Sequence, residues 1–394
     1  MPPSAQVPPA IVVIGAGLAG VRFTRRLAEL DPGTEAGTVL VGDEPHAPYN
    51  RVLLTDVLAG RYGPDVITLP RPHGTHLRTR AVRIDRAART VHCADGTSVR
   101  YRTLVLATGA NPVVVPAPHG RTFRTMDDCL ALSAAVRPGT RVLVVGGGPL
   151  GVSVARALAT RGADVVLAER DNRLMKRQLD STAAELVLRH LRRLGVEVRT
   201  SWQPHEKPPG TELTVLACGV RPRTGLARAA GLTVRSGVVV DDELRTSDPH
   251  IRAIGDCAEH ASRVYGRAAP ALEQADVLAA SLTARHPETP RYHGTRALTR
   301  LTLDSTDTAA DPLDLAAFGA ADARPGDDVV QLTDATRGTY RKVVVRGDRV
   351  VGGVLVGALG SVGALARAWA DGESVTAGDG GAPTLHLLTH DGGC

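Results

Sequence analysis

The chain is poor in aromatic residues, in lysine and in cysteine, and each shortage narrows what it can be. Phenylalanine, tyrosine and tryptophan make up 3% of its 394 residues. No basic cluster interleaved with stacking side chains occurs, so no nucleic-acid surface is expected. Lys176, Lys207 and Lys342 are the only lysines, arginine carries nearly all the positive charge, and the formal net charge is +6. The basic residues are scattered along the chain, which reads as base composition rather than as a binding patch. Five cysteines, Cys93, Cys129, Cys218, Cys257 and Cys394, lie far apart and form neither a CxxC metal pair nor a disulfide ladder. That usage fits a reducing, cytoplasmic setting. No uninterrupted apolar run approaches the roughly 18 residues of a membrane helix, so no membrane is expected. Residues 1–10 lack the basic and apolar regions of a secretion signal and read as a disordered arm. His73 with His76 and His386 with His390 have spacings a metal accepts, but neither pair comes with a nearby cysteine or an HExxH glutamate. No metal is expected.

What is present is organised around Ile11 to Gly20, IVVIGAGLAG. A run of strand-forming residues meets Gly15, Gly17 and Gly20, the spacing of a dinucleotide-binding turn. The first glycine permits the tight turn, the second lets backbone approach a pyrophosphate, and the third lets the following helix pack close to the strand. The helix start then faces the diphosphate. With 42 glycines in the chain the motif alone is weak, and its context carries the inference. Phe23, Leu27 and Leu30 recur at helical spacing, and a second strand, Val39-Leu40-Val41, ends at Asp43-Glu44, where a carboxylate would take an adenosine ribose hydroxyl.

Arg141 to Gly151, RVLVVGGGPLG, repeats the device with Gly146, Gly148 and Gly151. Its second strand, Val165 to Ala168, ends at Glu169, close to the ~20-residue offset of a ribose-binding acid. Between the two motifs, Val82-Arg83-Ile84, Thr90-Val91-His92 and Ser98-Val99 alternate as antiparallel strands, with Asp95-Gly96 a hairpin turn. His46 to Arg51 reads as a loop entering a short helix. Leu104 to Gly109 returns a buried strand to a small-residue turn. Pro112, Pro116 and Pro118 suggest a linker. Leu213 to Gly219 and Asp248 to Ala258 supply further strands, the latter ending in Gly255-Asp256. Past about Thr289, strands at Ala297–Thr302, Val329–Leu332, Tyr340–Val345 and Val350–Leu355 and a helix over Leu365–Trp369 suggest a third, α+β domain before a glycine-rich tail.

These segments resemble the two-dinucleotide flavoproteins of the pyridine nucleotide-disulfide oxidoreductase type. Within them they are similar to the FAD/NAD portion of NAD(P)H nitrite reductase large subunits and to rubredoxin reductases. The marks are GDEPHAPYNRVLLTDVLAG (Gly42 to Gly60), LATG (Leu106 to Gly109), RLMKRQLD (Arg173 to Asp180), GVRPRTGLA (Gly219 to Ala227) and IGDCAEH (Ile254 to His260). The resemblance implies an α/β fold with two Rossmann-like domains and a small C-terminal α+β domain. FAD would be held by 11–112 with 241–289, NAD(P)H by 113–240, and 290–376 would be an interface domain followed by a flexible tail, 377–394. It implies an FAD set of Gly15, Gly17, Leu18, Ala19, Gly20, Asp43, Glu44, Arg51, Val82, Ala107, Thr108, Gly109, Asp256, Glu273 and Gln274. In that set Asp256 would bond the ribitol chain, and Arg51 would sit near the flavin or its diphosphate. The NAD set is Gly146, Gly148, Pro149, Leu150, Gly151, Glu169 and Gly219. Ala269 to Ala275 would start a helix aimed at the flavin pyrimidine edge, where backbone N–H groups favour negative charge.

Departures from the family bear on function. A nitrite reductase needs a sirohaem and iron–sulfur module held by clustered cysteines, and none is present here. Many relatives carry a glutamate where this chain has Ser153, and some carry a lysine where it has Asp56, so the usual charge pair beside the flavin is expected to be missing. Residues 18 to 58 contain no cysteine, which argues against a thiol relay. The reading is an FAD-dependent NAD(P)H oxidoreductase that passes electrons to an acidic one-electron carrier protein or a partner reductase component. NADH is preferred because Glu169 repels a 2′-phosphate. Two alternatives stay open: a flavoenzyme acting directly on a small molecule or oxygen, as an NADH oxidase does, and a slow-turnover FAD/NAD-binding sensor.

Overall fold

Four successive aliphatics, Ile11–Ile14, are all buried, and their lack of a polar face puts them at the centre of a parallel sheet covered on both sides. In the computed structural model, which describes residues 11–115, 120–203, 208–284, 290–304, 312–334 and 336–374, this strand pairs in parallel with Thr38–Gly42 and Thr103–Leu106. Thr75–Arg78 and Ile251–Ala253 complete the sheet at its two edges. By contact the chain divides into two units. The first takes the described residues up to Leu54, then Tyr62–Pro112 and Val220–Thr295; the second takes Thr55–Arg61, Val113–Gly219 and the described residues from Arg296 onward.

In the first unit the helix Leu18–Leu30 follows the central strand and buries Val21, Phe23, Leu27 and Ala28. Phe23 and Leu27, one helical turn apart and no more than 1% exposed, each contribute about 2–3 kcal/mol of burial. The helix Ala268–Thr283 packs beside it and sends Ala271, Ala275, Leu278 and Ala279 into the same core. Its small residues allow that close approach. Ala81–Asp85, Thr90–Cys93 and Ser98–Arg100 form an antiparallel meander, turned at Gly96 with φ +87°. Pro112, expected in a linker, instead ends the strand Ala110–Pro112, which is antiparallel to Val220–Pro222. Pro116 and Pro118 lie outside the described residues. Ala227 and Leu232 enter the first unit's core, so contact groups Val220–Val240 with this unit.

In the second unit a five-stranded parallel sheet runs Glu197–Arg199, Asp164–Ala168, Arg141–Val145, Leu213–Leu216, Gly120–Thr122. A second, antiparallel sheet runs Thr299–Leu303, Leu313–Gly319, Arg349–Val356, Thr339–Arg346, Asp328–Asp334. Phe318, Val343, Val345, Val350 and Leu355 of that sheet pack with Leu365 of the helix Val362–Asp371. The fold is α/β, with an α+β C-terminal part. The expected N-terminal arm, 1–10, and the whole of the expected tail, 377–394, with His386, His390 and Cys394, fall outside the described residues.

Candidate nucleotide-binding sites

Both glycine turns are set by steric necessity. Gly15 has φ +118°, and a Cβ there would lie 2.1 Å from the Ala107 carbonyl oxygen. One at Gly20 would lie 2.0 Å from the oxygen of Gly15. Gly17 differs: a Cβ there would meet only Arg51 Nη2, at 3.9 Å, which leaves room for a ligand. The second turn repeats this. Gly146 has φ +110° and a Cβ there would face Ala217 O, a Cβ on Gly151 would lie 1.7 Å from Gly146 O, and one on Gly148 would meet no non-neighbouring atom within 4 Å. The helices that follow begin at Gly17 and Gly148 with no side-chain cap, so their first N–H groups suit an anion. Pro149 stands at the start of the second helix, where its missing donor costs nothing.

Around the first turn the acids and Arg51 converge. Arg51 Nη2 donates to Glu44 Oε1 at 2.9 Å, and the Tyr49 hydroxyl donates to the other Glu44 oxygen. Burial opposes the charge on Arg51, yet Tyr49, Glu44 and Asp256 outweigh it and its pKa is raised. Asp256 sits half-buried in the single turn Gly255–Cys257. The Gly255 amide donates to Gln274 Oε1 at 2.7 Å, so a buried glutamine of the long helix holds the turn that presents Asp256. Thr108 Oγ1 donates to Arg223 O, Ala107 is buried, and Gly109 has φ +71°. Leu18 and Ala19 open the first helix. Asp43 is exposed, Val82 is half-exposed on the meander, and Glu273 is exposed and accepts from Thr295. The convergence takes in Gly17, Glu44, Arg51 and Asp256, with Gln274 behind them. These residues fit a dinucleotide diphosphate and ribose: an open glycine, an uncapped helix start, one cation and two acids.

At the second turn Glu169 Oε2 accepts from the Gly147 amide at 2.5 Å and Oε1 from the Asp171 amide at 2.8 Å. Its carboxylate is thereby fixed beside the glycines. Leu150 is partly exposed, and Gly219, with φ +95°, accepts from the Val113 amide. This set too fits a dinucleotide.

Among the described residues Cys93, Cys129, Cys218 and Cys257 form no disulfide. Burial pushes Cys129 up to about 11 and raises Cys93, Cys218 and Cys257. Cys257 Sγ points at the carbonyls of Leu106 and Ile254. Among the described residues no three His, Cys, Asp or Glu side chains group as a metal site, and no helix is long and apolar enough to cross a membrane.

The sequence reading overlooked Arg156. It lies on the helix Pro149–Thr160, one turn beyond the buried Ser153, and binds Asp56 and Asp304. A signal for it was available: Asp56, where the resemblance implies a lysine in some relatives, invites a search for a cation one turn from Ser153. Burial lowers the Arg156 pKa and Asp56 works against that; an arginine stays charged regardless.

Residues 9–275 match the family model described as "Pyridine nucleotide-disulphide oxidoreductase". The chain belongs to that family. That family and its relatives use FAD and NAD(P)H. The chain is 33% identical to the nitrite reductase [NAD(P)H] large subunit of Klebsiella oxytoca, over 93% of this chain but only 40% of that subunit. It thus spans less than half of that relative's length. It is 32% identical to a probable ferredoxin reductase of Castellaniella defragrans, over 72% of this chain and 78% of that one. Among solved structures it is similar to a covalent putidaredoxin reductase–putidaredoxin complex, with TM-score 0.80, 26% identity, and 96% and 98% of the two chains covered.

Proposed function

We propose that this chain takes electrons from NADH onto FAD and hands them singly to a separate, acidic one-electron carrier or partner reductase component. The observation that carries the reading is the pairing of two complete dinucleotide turns with thiols whose pKa values are all raised among the described cysteines. The likeness to a reductase solved in complex with its carrier supports the same reading. Bound together, the two nucleotides supply transfer of a hydride, two electrons and one proton, from nicotinamide to flavin, and the flavin can release electrons one at a time.

The residues have separate tasks. The Gly15 to Gly20 turn and the helix start bind the FAD diphosphate, Arg51 offsets its charge, and Glu44 or Asp43 takes the adenosine ribose. Asp256, held by Gln274 through Gly255, orients the ribitol chain. The uncapped start of Ala268–Thr283 offers N–H groups to negative charge. Leu18, Ala19, Val82, Ala107, Thr108, Gly109 and Glu273 complete the FAD set. The Gly146 to Gly151 turn, with Pro149, Leu150 and Gly219, binds NADH, and Glu169 selects it over NADPH. The first unit's parallel sheet is the FAD module, the second unit's parallel sheet the NADH module, and the C-terminal antiparallel sheet the interface domain. A cytoplasmic location fits the cysteine usage.

The test is purification and reconstitution followed by anaerobic addition of NADH and a ferredoxin. Expected are one tightly held FAD per chain, loss of oxidised-flavin absorbance on NADH addition, and NADH-dependent reduction of the ferredoxin. A protein that takes up no FAD refutes the proposal. One that reduces oxygen but no carrier refutes the acceptor.

A further inference from the structure

Four side chains of the second unit close a ring of alternating charge. Arg156 Nη1 lies 3.0 Å from Asp304 Oδ1, and its Nη2 lies 3.3 Å from Asp56 Oδ1. Arg61 Nη1 meets the same Asp56 oxygen at 3.3 Å, and Arg61 Nη2 meets Asp304 Oδ2. The Arg156 side chain is 3% exposed, and those of Asp56 and Asp304 are 18% and 16% exposed. A planar guanidinium reaches two carboxylates with separate nitrogens, which a lysine ammonium does less well.

Stability alone is a poor reason for such a ring. Desolvating charges offsets most of their attraction, and apolar side chains of similar volume are often as stabilising or more so. What the ring adds is direction: it has one satisfied geometry, whereas an apolar contact tolerates sliding. Its members also occupy telling places in the chain. Asp56 follows Arg51, the arginine over the first glycine turn, by five residues, and Arg156 follows Gly151, the last glycine of the second turn, by five. Gly151 and Arg156 share the helix Pro149–Thr160, along which five residues span about 7.5 Å. Asp304 ends the strand Thr299–Leu303 of the C-terminal sheet. Within the second unit the ring therefore ties the segment Thr55–Arg61 and the end of the strand Thr299–Leu303 to the helix that follows the second glycine turn.

We propose that Arg156 is a positioning residue for hydride delivery: by bridging Asp56 and Asp304 it fixes the helix that follows the second glycine turn, and so fixes where the nicotinamide end of the bound nucleotide stops. The ring touches no reacting atom. It acts because hydride transfer needs near-contact geometry, in which a misplacement of about 1 Å costs on the order of 100-fold. The inference rests on the NADH-to-FAD reading above.

The test compares Arg156→Met, Asp304→Asn and Arg156→Lys with the unaltered FAD-loaded protein by anaerobic stopped flow. NAD⁺ affinity by calorimetry and thermal unfolding are read alongside, since neither depends on turnover. Expected for Arg156→Met and Asp304→Asn is flavin reduction slowed roughly 10- to 100-fold at saturating NADH, with NAD⁺ affinity within about threefold of the unaltered protein. Arg156→Lys, which keeps the charge but not the fork, recovers part of the rate. Reduction at the unaltered rate once NADH saturates, with any loss confined to affinity or melting temperature, overturns the proposal. If Arg156→Met fails to fold or to hold FAD, Asp304→Asn, which keeps volume and both arginines, decides by the same split. An unaltered protein that NADH does not reduce refutes the oxidoreductase reading and this proposal with it, whereas equal rates in all variants refute this proposal alone.

Discussion

Glu169 shows how much one side chain does here. Its two oxygens accept amides from Gly147 and Asp171, so the carboxylate is oriented before any nucleotide arrives, and Gly147 is too closely packed against Leu174 and Glu169 to carry a Cβ. Glu169→Ala removes a charged acceptor and leaves the Gly147 amide without its partner. A loss of about 1.5–3 kcal/mol follows, read as a kcat/KM for NADH lower by at least tenfold, with the NADH-to-NADPH ratio moving toward NADPH as repulsion of the 2′-phosphate disappears. An unchanged ratio counts against the assigned role. The cysteines give the complementary prediction. Serine at Cys93, Cys129, Cys218, Cys257 and Cys394 is expected to leave NADH-to-ferricyanide activity of the FAD-loaded protein intact, because the proposed electron path uses no thiolate. Abolished activity in a folded, FAD-loaded variant contradicts it.

At the scale of elements, Asp180 joins the helix Ser181–Arg193 to the C-terminal sheet. It caps the helix through the Ala183 amide and accepts from Lys342 Nζ at 2.8 Å and from the Tyr340 hydroxyl at 2.5 Å. Burial opposes ionisation of Asp180, but the bonds from Lys342, Tyr340 and Ala183 prevail and hold its carboxyl below the usual range. A depressed acid contributes stability above its unfolded pKa of roughly 4, and that contribution is lost as pH falls through the lower folded value. Lys342→Met strands the buried carboxylate and costs about 3 kcal/mol; a melting temperature unchanged at pH 7 contradicts this account. The elements also differ in how far the sequence revealed them. The two glycine turns were legible because sterics leave no other residue at Gly15, Gly20, Gly146 and Gly151. The strand Leu313–Gly319 was not, since LDLAAFG has small residues where a strand signal needs branched ones. Pro112 misled because a proline at a strand end reads like one in a linker. The Arg156 ring joins positions 56, 61, 156 and 304, and no local pattern reports contacts of that span.

At the scale of the whole molecule, the proposed acidic carrier would meet a chain of formal net charge +6. Such encounters are steered by exposed charge and screened over about 10 Å at 0.1 M salt. The KM for the carrier is therefore expected to rise with ionic strength while kcat with ferricyanide holds, and a salt-independent KM removes electrostatic docking from the account. The central claim of the proposed function is narrower: the chain binds FAD and NADH and passes a hydride from NADH to the flavin with no thiol relay. The most direct measurement is an anaerobic titration of the FAD-loaded protein with NADH, followed by flavin absorbance and by thiol counting before and after. The account predicts complete loss of oxidised-flavin absorbance at one NADH per FAD with the thiol count unchanged. Flavin that stays oxidised, or a second equivalent consumed as new thiols appear, contradicts it.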